Sequence, residues 1–275
     1  MEKRPKTIHR GRNVTMKHYW EIYKKFVSTS ISEATSFRLS FFLVAIMDII
    51  FYLTTLFSVN FIFDHVQNIG PWDKNQLLFF ISFMLAIDHL HMTTISESFW
   101  RFSDHIRTGS LDFLLLRPVH AIFSVFFSRF RAATVFNGIV AWGFLIYYGN
   151  QVNLPFLSWL LLPFMVLIGM NLLLVIEIIL STAMFWIVEG AGINFLRMQI
   201  QQLSRWPDFI FSKYTRRVLT LVIPISLVGT APVQFLLDFK NYQYLLFLIL
   251  FSFILWAFLL IWWNYAIQKY ESASS

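Results

Sequence analysis

The feature that most constrains this chain is a series of six apolar stretches, near residues 40–63 (Ser40 to Phe63), 77–99, 121–148, 157–188, 217–237 and 244–266. A helix needs about 20 mainly apolar residues to cross roughly 30 Å of hydrocarbon, and each stretch reaches that length. Runs such as Tyr244 to Trp263 are apolar on every side. A membrane barrel would instead show segments of about ten residues alternating apolar and polar. The expected fold class is therefore all-α, a polytopic membrane protein with six transmembrane helices. Composition agrees: 57% of the 275 residues are hydrophobic and 13% charged, with 32 Phe, 10 Trp and 10 Tyr. A water-soluble core of this size could not hide that much apolar surface. The absence of cysteine removes disulfides, iron–sulfur clusters and thiol nucleophiles.

The net charge of +7 raises nucleic acid as a partner, so the positions of the basic residues decide its meaning. With both termini on one side, that side collects 20 Lys and Arg, and the other keeps only Lys74 and Lys240. The bias predicts cytoplasmic N- and C-termini. Positive charge spread over every inner loop is a topology signal and argues against nucleic-acid binding. The first apolar stretch starts about forty residues in and is too long for a signal-peptide core, so it is expected to remain as a span. Ahead of it, Met16, Tyr19, Trp20, Tyr23, Phe26, Val27 and Ile31 recur at three- and four-residue steps. Lysines fill the opposite face, which predicts an amphipathic elbow helix at the membrane interface in contact with lipid headgroups.

The expected organisation is a basic tail and elbow over residues 1–39, a transmembrane domain over 40–266, and a short tail over 267–275. Two inner connections stand out, 100–118 and 189–216. The first reads WRFSDHIRTGSLDFLLLRP, a short amphipathic helix interrupted at Gly109. Ser110 is expected to cap the next turn and Pro118 to open the third span. Fixed to spans at both ends, such a helix suits either force transmission from a soluble partner or an ordinary interfacial loop. In the fifth span, Pro224, Gly229 and Pro232 break the apolar run. A carbonyl freed by proline cannot be satisfied by lipid, which predicts a kinked span with a re-entrant outer end.

Gly109-Ser110-Leu111-Asp112 followed by Leu114-Leu115-Leu116-Arg117-Pro118 resembles the G-x-L-D-x-L-L-x-[RK]-P signature of ABC-2 type permeases. The likeness is to the six-span "ABC-2 family transporter protein" subgroup, which includes daunorubicin-resistance-like permeases. Pro207, Arg217, Ile223-Pro224 and Ala231-Pro232 are similar to that subgroup's fifth-span region. The resemblance implies a dimer of six-span subunits, of one permease or two related ones, in a prokaryotic inner membrane. It implies a cytoplasmic ABC ATPase as partner and export of a hydrophobic or amphiphilic compound. By position, Arg107, Gly109, Asp112, Arg117 and Pro118 would form the element that meets the ATPase. No G-x-x-x-x-G-K-[ST] occurs, and none of the 10 glycines precedes a lysine. Nucleotide hydrolysis is thus assigned to a separate subunit, and the chain is read as no enzyme and as needing no cofactor.

Asp48 and Glu177 fall inside spans, where a lipid-facing carboxylate would cost at least about 2.5–3.5 kcal/mol. Each is therefore read as facing protein, with Asn137 and Asn171 as partners by depth. They suit a polar contact between helices first, and a transport pathway or proton site second. They also support a second reading, an ion- or proton-coupled carrier. A third, a scaffold recruiting proteins through the basic tail, comes from another class. Of Asp88, His89 and His91, only Asp88 and His91 have spacing that a helical metal site could use, and no metal is expected. Arg129 and Arg131 are expected to reach headgroups, with one pairing to Glu97 or Asp104.

Overall fold

The computed structural model describes residues 15–36, 38–187 and 190–270. The basic tail before residue 15, Glu189 and the C-terminal residues 271–275 lie outside the described residues. The regular elements are helices throughout: α1 (Met16–Ser36), α2 (Arg38–Phe63), α3 (Lys74–Thr94), α4 (Ser96–Arg107), α5 (Leu111–Leu115), α6 (Ala121–Phe126), α7 (Asn137–Gln151), α8 (Phe156–Thr182), α9 (Ala191–Ser204), α10 (Lys213–Arg217), α11 (Leu227–Leu237) and α12 (Tyr242–Lys269). Among the described residues, five are long and apolar enough to cross a membrane: Phe41–Phe63, Lys74–Thr94, Ala132–Gln151, Phe156–Phe185 and Phe239–Lys269. A sixth candidate is a bent pair, Lys213–Val222 and Pro224–Leu237, meeting at 84°.

Helix α3 is the core of the bundle and is buried along almost its whole length. Its start is fixed by a capping box, in which Asp73 accepts from the Gln76 N–H at 2.9 Å and the Gln76 side chain accepts from the Asp73 N–H at 3.1 Å. Just before it, Ile69 and Trp72 exchange two backbone hydrogen bonds around Gly70, whose φ of 60° suits glycine. Helices α2 and α12 sit at the edge. Phe42, Met47, Phe57, Phe253 and Ile261 project outward, as expected where lipid is the solvent for those faces. The 21 residues of α3 span about 31 Å, so its two ends define two faces of the molecule. One carries the 64–73 loop and the other carries α4 to α6.

The second apolar stretch is two helices, because the chain turns at Ile95. The third also departs from expectation. Residues 121–126 form the separate helix α6, and the crossing begins only at Ala132. Arg129 and Arg131 explain the break, since neither can enter hydrocarbon as part of a continuous span. Arg129 binds Glu33 at 2.6 Å rather than Glu97 or Asp104. The Arg131 N–H donates to the Thr93 carbonyl at 2.8 Å and the Phe130 N–H to Ser30 Oγ at 3.2 Å. Irregular backbone here is satisfied by protein, as membrane depth requires.

The stretch 189–216, expected to lie wholly on one face, does not. At its start a side chain on Gly190 would overlap Ser103 of α4. Further along, Phe209 packs edge-on against Trp72 at 4.8 Å, and a side chain on Gly70 would overlap it. The segment thus runs from one end of α3 to the other. Residues 213–237 then fold back into the bundle. The break in this pair falls at Ile223 and Pro224, after one π-turn over Val218–Val222. Gly229 and Pro232, expected to interrupt the span, lie inside the continuous helix α11. Pro232 has no N–H for the Val228 carbonyl, and that carbonyl lies against Gly169 of α8, where a Cβ would sit 2.5 Å from it. Glycine lets the two backbones approach, so the freed carbonyl faces protein and not lipid. Near the other end of α11, Ser158 Oγ donates to the Leu236 carbonyl at 2.7 Å.

Candidate functional site

Three helices place an ionic centre inside the bundle. Glu177 on α8 accepts from Arg197 Nη1 on α9 at 2.9 Å and bonds to His91 Nε2 on α3 at 2.5 Å. All three side chains are 2% exposed or less. The Phe99 ring stacks on His91 at 6.0 Å and lies 4.5 Å beneath the Arg197 guanidinium. Both carboxylate oxygens are thereby taken by donors, which offsets the cost of burying the charge. Arg197, read from sequence as an inner-loop cation, is a core residue. On α9, Asn194, Arg197, Ile200 and Ser204 form the buried stripe, the three- and four-residue spacing of a helix packed on one side.

The other intramembrane polar residues find separate partners. Asp48 Oδ2 on α2 accepts from Asn137 Nδ2 on α7 at 2.9 Å. Asn171 bonds neither carboxylate; its Oδ1 accepts from Trp256 Nε1 on α12 at 3.0 Å. Asp88 pairs with Arg205 at 2.8 Å, and the Arg205 guanidinium sits 4.8 Å over the Phe51 ring. Asp88 and His91 are thus held in two different networks. Among the described residues no group of three or more His, Cys, Asp and Glu is placed to hold a metal. Beside Arg205 a groove of about 220 Å³ opens between α2 and α3, with Thr55, Ser58 and Gln202 above apolar Val59 and Met84.

On the opposite face, α4, α5 and α6 form a compact surface element. Gly109 turns the chain with φ of 70°, a conformation that costs other residues about 1–2 kcal/mol. Ser110 stands at the start of α5 but makes no cap bond to it. Its hydroxyl instead bonds His105 Nδ1 at 2.8 Å and Thr108 Oγ1 at 2.9 Å, closing the turn on itself. Burial holds the His105 imidazole below its usual pKa, reinforced by the Arg101 and Arg129 charges. Pro118 lies in the turn before α6, where His120 caps the helix, rather than in the first turn of a span. Ser124 Oγ donates to the Leu114 carbonyl at 3.0 Å and joins α6 to α5.

This element is tied to α1 as well. The Tyr19 hydroxyl accepts from the His120 N–H at 3.0 Å, Tyr19 meets Phe123 edge-on at 5.0 Å, and Arg117 stands 5.0 Å over the Phe26 ring. Burial and the nearby Arg129 lower the Arg117 pKa. Outward, the element presents Arg107, which pairs with Asp104 at 3.2 Å, and two apolar side chains, Phe113 and Leu116, at 74% and 73% exposure. The sequence motif points to Arg107, Gly109, Asp112, Arg117 and Pro118 here and gives no sign that Phe113 and Leu116 lie outside. A run of leucines and phenylalanine hides which of its members a short helix leaves outside.

A bundle of apolar helices with buried ionic contacts and a structured surface element defines a multi-pass membrane protein. The chain belongs to the ABC-2 family of transporter proteins, whose family profile, "ABC-2 family transporter protein", matches residues 49–274. It is accordingly a membrane permease of the ABC type. No curated protein and no solved structure matches the chain.

Proposed function

We propose that the chain is the membrane-spanning subunit of an ATP-driven exporter of hydrophobic or amphiphilic compounds in a prokaryotic inner membrane. It works as a dimer with a second copy or a related permease, and a separate cytoplasmic ABC ATPase supplies the energy. The observation that supports this most directly is the α4–α6 element. It presents Phe113, Leu116 and Arg107 outward while being bonded to α1 and continuous with α3. A push on that surface reaches the elbow and the central helix together, which is what an element receiving an ATPase stroke has to do. Arg107, Gly109, Asp112, Arg117 and Pro118 shape this contact, with Phe113 and Leu116 as its apolar anchors.

The largely apolar groove beside Arg205 and the outward face of α2 are the surfaces a second subunit would enclose to form the pathway. Asp48 and Asn137 are close to it in the bundle through α2. The proton-coupled alternative draws on Asp48 and Glu177. Glu177 has both oxygens occupied by His91 and Arg197, which favours a structural role for it. The proposal is tested by coexpressing the chain with candidate ABC ATPases and measuring co-purification. Reversing the charges of Arg107, Asp112 and Arg117 together abolishes the association if the assignment is right. Association that survives the triple reversal shows that the ATPase docks elsewhere.

A further inference from the structure

A cleft of about 330 Å³ lies between α10 and α12, lined at one end by Lys213, Arg216 and Arg217. Arg216 is neutralised by Asp208, with Nη2 and Oδ2 2.6 Å apart. Lys213 and Arg217 have no hydrogen-bond or ion-pair partner among the described residues, so the cleft keeps uncompensated positive charge. Beyond this basic end, Thr220 and Tyr244 add two hydroxyls, and the rest of the wall is apolar, with Leu221, Leu227, Phe247 and Phe251. The contacts of Phe209 with Trp72 and of Ser158 with Leu236 place this cleft toward the face that carries the 64–73 loop. From Phe247 an exposed apolar track continues along α12 through Leu250 and Ile254, at the three- and four-residue steps that keep side chains on one helix face.

We propose that this cleft is a binding site for an anionic phospholipid. The headgroup phosphate is held by Lys213 and Arg217, and an acyl chain lies along Phe247, Leu250 and Ile254. Charge complementarity selects the anion, and the apolar track selects a lipid over a free phosphate ester. Cations near a membrane surface attract anionic lipid, and two unpaired ones in a shared cleft suffice for selective retention. A lipid seated here touches both the bent pair and α12, so it would brace that pair.

Native mass spectrometry of the full chain, purified in detergent and titrated with phosphatidylglycerol or phosphatidylcholine of identical acyl chains, tests this. The expected result is preferential retention of phosphatidylglycerol, weakened about tenfold or more by the double substitution Lys213→Gln and Arg217→Gln. Phosphatidylcholine retention should be unchanged by it, and the charge-keeping pair Lys213→Arg and Arg217→Lys should retain phosphatidylglycerol like the parent chain. Glycerol phosphate at equal concentration should not displace the lipid. The proposal is overturned if the two lipids are retained alike, if the glutamine variant keeps phosphatidylglycerol, if the charge-keeping pair loses it, or if glycerol phosphate displaces it and so marks a plain anion site.

Discussion

Arg197 donates to Glu177 across 2.9 Å in the interior of the bundle, joining α9 to α8 where neither residue meets solvent. His91 on the other carboxylate oxygen ties α3 into the same point. Three helices therefore share one electrostatic junction, and its loss should be felt as a loss of assembly.

Replacing Arg197 by Met leaves Glu177 buried with only His91, and should destabilise the fold by about 3–5 kcal/mol. Replacing Glu177 by Gln in the same chain removes the orphaned charge and should recover much of that loss. Thermal unfolding of the detergent-solubilised variants checks both. If the double variant is no better than Arg197→Met, the ion pair is not the source of the effect.

Gly109→Val places a β-branched residue at φ of 70° and should strain the turn by about 1–2 kcal/mol. Because the turn carries the proposed docking surface, co-purification with an ATPase should fall more than thermal stability does. Equal loss of both would mean that the turn serves folding alone.

Burial, reinforced by the Arg101 and Arg129 charges, depresses the His105 pKa in the fold. Its unfolded value lies near 6.5. Below that pH the unfolded chain takes up a proton that the fold resists, so stability falls as pH drops. Limited proteolysis at the Thr108–Ser110 turn should accelerate between about pH 7 and pH 5, and His105→Gln should flatten the profile. A wild-type rate independent of pH contradicts this.

The path of residues 190–217 from one face to the other can be read chemically, since the chain has no cysteine of its own. Single substitutions Asn68→Cys and Lys213→Cys should react with a membrane-impermeant maleimide from the same side, and Arg107→Cys from the opposite one. Labelling of Lys213→Cys together with Arg107→Cys would return the segment to one face.

The apolar helices α2, α3, α8 and α12 were legible because unbroken hydrophobic length is a local property of the chain. Helix α9 was not. Arg197, Gln199, Gln201, Gln202 and Arg205 make the stretch too polar to read as a span, and the residues that neutralise the two arginines lie far away in sequence. Glu177 is 20 residues and Asp88 117 residues from its partner. The inner-side count of basic residues inherited that error. Lys213, Arg216 and Arg217 belong with the 64–73 face, and Arg197 and Arg205 leave the count as internal ion pairs. Of the original 20 against 2, 15 against 5 remain, so the bias keeps its direction. The break before α7 was signalled by Arg129 and Arg131, but the flanking phenylalanines masked it. In the surface element, the glycine turn was visible in the motif, whereas the exposure of Phe113 and Leu116 depends on how α5 docks on α6.

As proposed, this permease moves its cargo only when an external ATPase drives it. Reconstitution into liposomes, alone and with a co-purifying ABC ATPase, followed by uptake of a fluorescent amphiphilic cation, tests that claim most directly. Accumulation against a gradient is expected only with both ATPase and ATP present, and none from a pH gradient applied to the permease alone. Uphill transport by the permease alone under a pH gradient would contradict it.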